Sequence, residues 1–175
     1  MILSSPPAFA ELYTLPEGAA GTRATLRLMS RLVKAARIEP TIRSTASDLV
    51  MGNLPGDYRG EAESCFLFVR DSIRYLQDTA DMQVVNNPLV TLSQRSGNCV
   101  QKSVLLSSLL ESIGHPCRFV ALGYSKPGDF EHVFTETRIG QQWVAADPTM
   151  SVSLGWAPEP PDVPDPIICR MVEHI

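Results

Sequence analysis

Three residues of this sequence have types and spacing that suit acyl-transfer chemistry: Cys99, His132 and Asp147, separated by 33 and 15 positions. A thiolate is a strong nucleophile, and a helix N-terminus favours the thiolate over the thiol. Cys99 stands at such a start, behind Asn98 as N-cap, with Gln101 placed to complete a capping box. Gly97 leaves room for a substrate to approach the backbone. The N–H of Cys99 has no partner within its helix, so it is an oxyanion donor candidate. His132 lies in an alternating stretch that puts His132, Phe134 and Glu136 on one face. Asp147 ends the next stretch, on the face of Trp143 and Ala145. If the two stretches pair, the carboxylate falls beside the imidazole. Each residue also has a purely structural reading: a small core thiol, a packed histidine, an Asp-Pro turn.

Positioning these groups requires helices first and strands after them. Thr22 caps a predicted helix over 23–38, where Leu26, Met29, Val33 and Ala36 form a stripe that Pro40 stops. A second helix is predicted over 41–51, with Ile42, Ala46, Leu49 and Val50 inward. A third covers 61–77, with Phe66, Val69, Ile73 and Leu76 on one side. Residues 78–96 read as a long connection with a turn at Asn86-Asn87-Pro88. The helix over 99–113 presents Val104, Leu105, Leu109 and Ile113, thickened by Leu106 and Leu110, and stops at Gly114. The hydrophobic period then falls to two over 118–124, 131–139 and 142–146. Short turns between these stretches predict antiparallel pairing, hence an α+β fold.

The run Gly97-Asn98-Cys99, the Leu-rich helix, Ile113 to Val120, His132-Val133-Phe134-Thr135-Glu136 and Trp143 to Thr149 resembles the transglutaminase-like (papain-like) cysteine enzyme superfamily. The match covers roughly residues 60–150 and keeps order and spacing. It looks most like the small bacterial and phage-encoded branch, which also carries an Asp, an apolar pair and a Pro upstream, as in Asp81 to Pro88. The resemblance implies a central helix carrying the Cys packed on an antiparallel sheet, with extra N-terminal helices. It implies Cys99 as nucleophile, His132 as general base and acid, and Asp147 as the group that orients the histidine. Many relatives are acidic where this chain has Asn98, Val100 and Gln101, and have Trp where it has Phe134. Gln94, five residues before Cys99, is a second oxyanion candidate by analogy with papain-like enzymes. Tyr124, Trp143 and Asn98 are candidates for the cleft.

The 175 residues predict a single domain in three parts: an arm and helices over 1–57, a core over 58–156 and a Pro-rich tail over 157–175. Hydrophobic residues at 44% suffice for a core, and a net charge of −4 argues against a nucleic-acid partner. No apolar run approaches the ~18 residues of a membrane span. Met1–Pro7 lacks the features of a secretory signal, which predicts a cytoplasmic protein, in a bacterial host or a virion. Without an oxidising compartment, Cys65, Cys99, Cys117 and Cys169 are expected as free thiols. The absence of a CxxC pair predicts no metal site, and no cofactor is expected. No G-x-S-x-G, P-loop or HExxH occurs. The expected activity is acyl transfer on an amide of a protein or peptide through a Cys thioester, with hydrolysis as the leading outcome. The alternative is a catalytically idle fold serving as a structural or binding module, for instance in a phage particle, with the tail strapped onto this domain or a protein partner.

Overall fold

A computed structural model describes residues 18–77, 85–126, 128–157 and 169–175. The predicted arm through residue 17, Asp81 and the Pro-rich run after Ala157 lie outside these residues, as does the Cys169 side chain. The first helix, α1, spans Gly18–Ala36 and buries Leu26, Met29, Val33 and Ala36 as the stripe requires. It begins before Thr22, which is not a cap: its hydroxyl donates back to the Gly18 carbonyl one turn earlier. Pro40 does more than stop α1. It opens α2 (Pro40–Val50) from its first position, where a missing N–H costs nothing. Ile42 and Ala46 are buried on α2.

Helix α3 spans Tyr58–Ser72, starting three residues and ending five residues earlier than the periodicity predicts. Asp57 caps its start by accepting from the Gly60 N–H at 2.9 Å. Its end has a physical cause in the central helix. The Lys102 ammonium donates to the Ile73 carbonyl at 2.7 Å and the Arg70 carbonyl at 3.3 Å, satisfying groups a helix C-terminus leaves open. The chain then forms strand β1 (Arg74–Tyr75), and Leu76 is exposed rather than inward. The predicted connection over 78–96 contains helix α4 (Pro88–Gln94), capped by the Asn87 side chain, and strand β2 (Ser96–Gly97), parallel to β1.

Helix α5 spans Cys99–Ser112. Both halves of the expected capping box are present: the Gln101 N–H donates to Asn98 Oδ1 at 2.9 Å, and the Asn98 N–H to Gln101 Oε1 at 3.1 Å. Gly97 is needed for a different close approach from the predicted one. A Cβ there would come within 2.9 Å of Gln101, so the space is filled by the helix itself and not left for substrate. At the other end Gly114 takes φ +95°. The Gly114 and His115 N–H groups donate to the Glu111 and Leu110 carbonyls, the Schellman pattern. His115 does not serve that helix end with its side chain: the buried ring meets Glu61 of α3 at 2.8 Å.

Strands β3 (Cys117–Gly123), β4 (His132–Ile139), β5 (Gln142–Ala146) and β6 (Cys169–His174) form an antiparallel sheet in the order β5-β4-β3-β6. The first three match the period-two stretches within one residue. The two-residue turn Gly140-Gln141 sets Ile139 opposite Gln142. Strand β6 was not legible as a strand; the tail returns to this sheet and pairs along β3. The sheet lies on one side of α5, and α1, α2, α3 and α4 surround its remaining sides. Its predicted apolar stripe is therefore too narrow, since Lys102, Ser103, Ser107 and Ser108 are buried as well. Ser103 donates to the Val133 carbonyl, and the Ser107 and Thr135 hydroxyls meet at 3.0 Å.

Asn98→Ala removes the cap acceptor and is expected to cost roughly 0.5–2 kcal/mol in denaturant unfolding. Asn98→Asp, which keeps the acceptor, is expected to retain most of that stability.

Candidate active site

The sheet register brings the predicted residues together. Thr135 faces Ala146 across β4 and β5, so Asp147, one residue on, runs alongside the beginning of β4. There the His132 Nε2 and Asp147 Oδ2 lie 2.7 Å apart. The Asp147 side chain is buried. Its other oxygen, Oδ1, accepts from the Thr149 N–H at 3.0 Å and the Thr149 hydroxyl at 2.6 Å. The carboxylate is thus held from both sides and cannot turn away from the ring. Cys99 lines the same cavity as His132, close enough to act on the imidazole through a hydrogen bond and its charge. Phe134 stacks on the ring with centroids 6.2 Å apart.

Burial of His132 opposes the imidazolium. The hydrogen bonds to Asp147 and Cys99 and the charges on both outweigh it, and the pKa is pushed up to about 9. Burial of Asp147 acts upward too. The bonds from His132 and Thr149 prevail and hold the carboxyl below its ordinary range. Such a pair carries opposite charges near neutral pH. By contrast, burial pushes the Cys65 thiol up to about 12 and raises Cys117 as well, which suits core residues. A cavity of about 30 Å³ adjoins Cys99 and His132. Thr22, Thr25, Leu26 and Met29 of α1 form its far wall.

None of the other site candidates lines this cavity. Gln94 is exposed at the end of α4 and does not line this cavity. Trp143 does not wall it either. It lies four residues before Asp147, about 13 Å along the strand, beneath the Arg118 guanidinium and edge-on to His174. Tyr124 packs against the cluster of Val120, Leu122, Phe134 and Ala145. Burial first, then the nearby Asp147 and Glu131 charges, raise its hydroxyl pKa. Asn98 is buried and committed to the cap. Sequence reasoning gave no place in the site to Thr149, although Asp-Pro-Thr is a recognisable Asx-turn pattern, or to the α1 side chains. Among the described residues no group of three or more His, Cys, Asp or Glu is placed to hold a metal ion. No helix among them is long and apolar enough to cross a membrane.

This arrangement of thiol, imidazole and carboxylate on a helix start and two adjacent strands coincides with a family profile. The profile of the transglutaminase-like superfamily matches residues 43–148, and the chain belongs to that superfamily. No curated protein sequence matches the chain significantly. Among solved structures, a candidate protease from Parabacteroides distasonis aligns at TM-score 0.59 and 11% identity, over 85% of this chain and 32% of its own. A candidate cysteine protease from Cytophaga hutchinsonii aligns at TM-score 0.49 and 21% identity, over 66% of this chain and 40% of its own. The chain thus spans less than half the length of either, and the likeness to the Parabacteroides protein concerns the fold.

The raised His132 pKa fixes the sign of a pH effect. Stability from a raised histidine is fully present below about 6.5 and is lost as pH rises through about 9. The wild-type protein is therefore expected to lose on the order of 2 kcal/mol relative to Asp147→Asn between these pH values. Urea midpoints of the two proteins across pH 6–10 measure the difference.

Proposed function

We propose that this protein is a thiol hydrolase that cleaves amide bonds of a protein or peptide through a Cys99 thioester. The observation that carries the reading is the His132–Asp147 contact at 2.7 Å with Cys99 beside the same ring. In this reading His132 takes the thiol proton, and the Cys99 sulfur attacks the substrate carbonyl. The Cys99 N–H at the helix start donates to the developing oxyanion. The imidazolium then gives its proton to the leaving amine. Asp147 keeps the ring oriented and balances its charge, and Thr149 keeps Asp147 in place. Water, activated by His132, releases the acyl group.

Water is the acceptor in this reading because it is always present at the site. The idle scaffold, including a role in a phage particle, remains the competing reading, and the following experiment discriminates between them.

Iodoacetamide labelling read by mass spectrometry is expected to modify Cys99 at least ~10-fold faster than Cys65 and Cys117. His132→Ala should slow that labelling, and Asp147→Asn should slow it less. Hydrolysis of an unfolded protein substrate should fall ~10²–10⁴-fold in His132→Ala. A Cys99 no faster than a small free thiol, and indifferent to His132→Ala, would return the scaffold reading. Incorporation of a fluorescent amine in place of hydrolysis would overturn water as acceptor.

A further inference from the structure

A second, larger cleft has Lys102, three residues after Cys99, in its wall. Its volume is about 410 Å³, within the range of small-ligand sites. Its walls come from the end of α3, from β1, from Arg95 after α4, from Lys102 and from the segment following Asp147. Four cations line it, Arg70, Arg74, Arg95 and Lys102, against one carboxylate, Asp71. This concentration of positive charge occurs in a chain of net charge −4.

The cations differ in their commitments. Arg70 is held by Asp71 and by the Val152 carbonyl, so it neutralises the one acid present. Lys102 is buried and spends two of its three N–H groups on the α3 carbonyls. Arg74 and Arg95 are exposed, and neither has an ion pair among the described residues; Arg95 rests on the Phe68 ring. Two planar guanidinium forks beside a buried ammonium suit a carboxylate. Tyr75 and Met150, both half-exposed, add apolar surface for the methylenes that carry it.

The cleft is joined to the thiol site through the chain itself. Lys102 lies one turn beyond Cys99, about 4.5 Å along the helix axis. Arg95 lies four residues before Cys99, with β2 between them. Thr149, which lines the cleft, is the residue that holds Asp147. An extended peptide advances about 3.3 Å per residue, so a few residues of substrate cover the length of α5 between Cys99 and Lys102.

We propose that this cleft binds a carboxylate of the substrate, either an acidic side chain or a free C-terminus close to the scissile bond. The substrate half of this inference rests on the thiol-hydrolase reading. Binding itself does not, and Cys99→Ala protein separates the two. Calorimetry would compare peptides that differ only in Glu against Gln at one position, each with a free or an amidated C-terminus. At least one carboxylate-bearing peptide is expected to bind ~10-fold or more tighter than its neutral counterpart. The preference should weaken at high salt and fall below ~2-fold in Arg74→Gln/Arg95→Gln. Both changes are on exposed side chains and leave the β1–β2 backbone pairing in place.

Preference for the Glu peptide identifies a side-chain site, and preference for the free terminus a C-terminal one; either supports the proposal. Equal binding of acidic and neutral peptides overturns it, as does a preference that survives the double substitution. Binding of inorganic phosphate with no discrimination among the peptides also overturns it. A preference that persists when Cys99 proves unreactive upholds the cleft and sinks only the thiol reading. A reactive Cys99 without the preference does the reverse.

Discussion

Helix α5 is buried on every side, and most of the structure follows from accommodating it. A helix of that kind cannot leave its first N–H groups or its polar side chains to water. The Asn98–Gln101 box closes one end and the Gly114 turn the other. Between them Ser103 and Ser107 bond into β4, and Lys102 bonds into α3. Each bond satisfies the helix and also fixes a neighbour, so that α3, α5 and β4 are positioned by the same few polar contacts. The leucines then pack against α2 and α3 in one direction, and Val100 and Val104 against α1 in another.

The candidate site inherits its geometry from this packing. Cys99 is the first residue of α5, and His132 the first residue of the strand to which α5 is bonded. The sheet register and a two-residue turn supply Asp147. The fold holds a second histidine–carboxylate pair, His115 with Glu61, at 2.8 Å. That pair links the turn after α5 to α3 beneath Tyr58. Its ring is 4% exposed against 18% for His132, and neither residue of the pair lines the two cavities described above. What distinguishes His132 is therefore its third partner and its access, not its possession of a carboxylate.

Much of this was legible in residue order. The Cys99 helix start, the three meander strands and the proximity of His132 to Asp147 rest on local signals: a capping pattern, period-two alternation and a two-residue turn. What the sequence concealed depends on distant partners. Leu76 continues the α3 stripe, yet α3 ends at Ser72 because Lys102, thirty positions on, takes its terminal carbonyls. Strand β6 follows a Pro-rich run and has little alternation of its own; its place depends on β3 offering an open edge. Trp143 shares a face with Asp147, but a strand separates by distance what alternation groups by side. Helix α4 was missed for a local reason, since Asn87-Pro88 serves equally as a turn and as a helix opening.

Lys102 shows how stability and site are joined in this fold. A buried ammonium is costly, and its pKa is lowered to about 8, chiefly by that burial. The charges of Asp147 and Asp71 act against the loss of its proton. An apolar residue of similar length would pack in its place more cheaply, but it would leave the Arg70 and Ile73 carbonyls without these donors. The lysine therefore ends α3, lets the chain turn into β1, and sets the wall of the cationic cleft within reach of the Asp147 carboxylate. The sequence marks it only as a lone charge among leucines and serines. In the folded chain that charge is where helix termination, cleft electrostatics and the acid behind His132 meet.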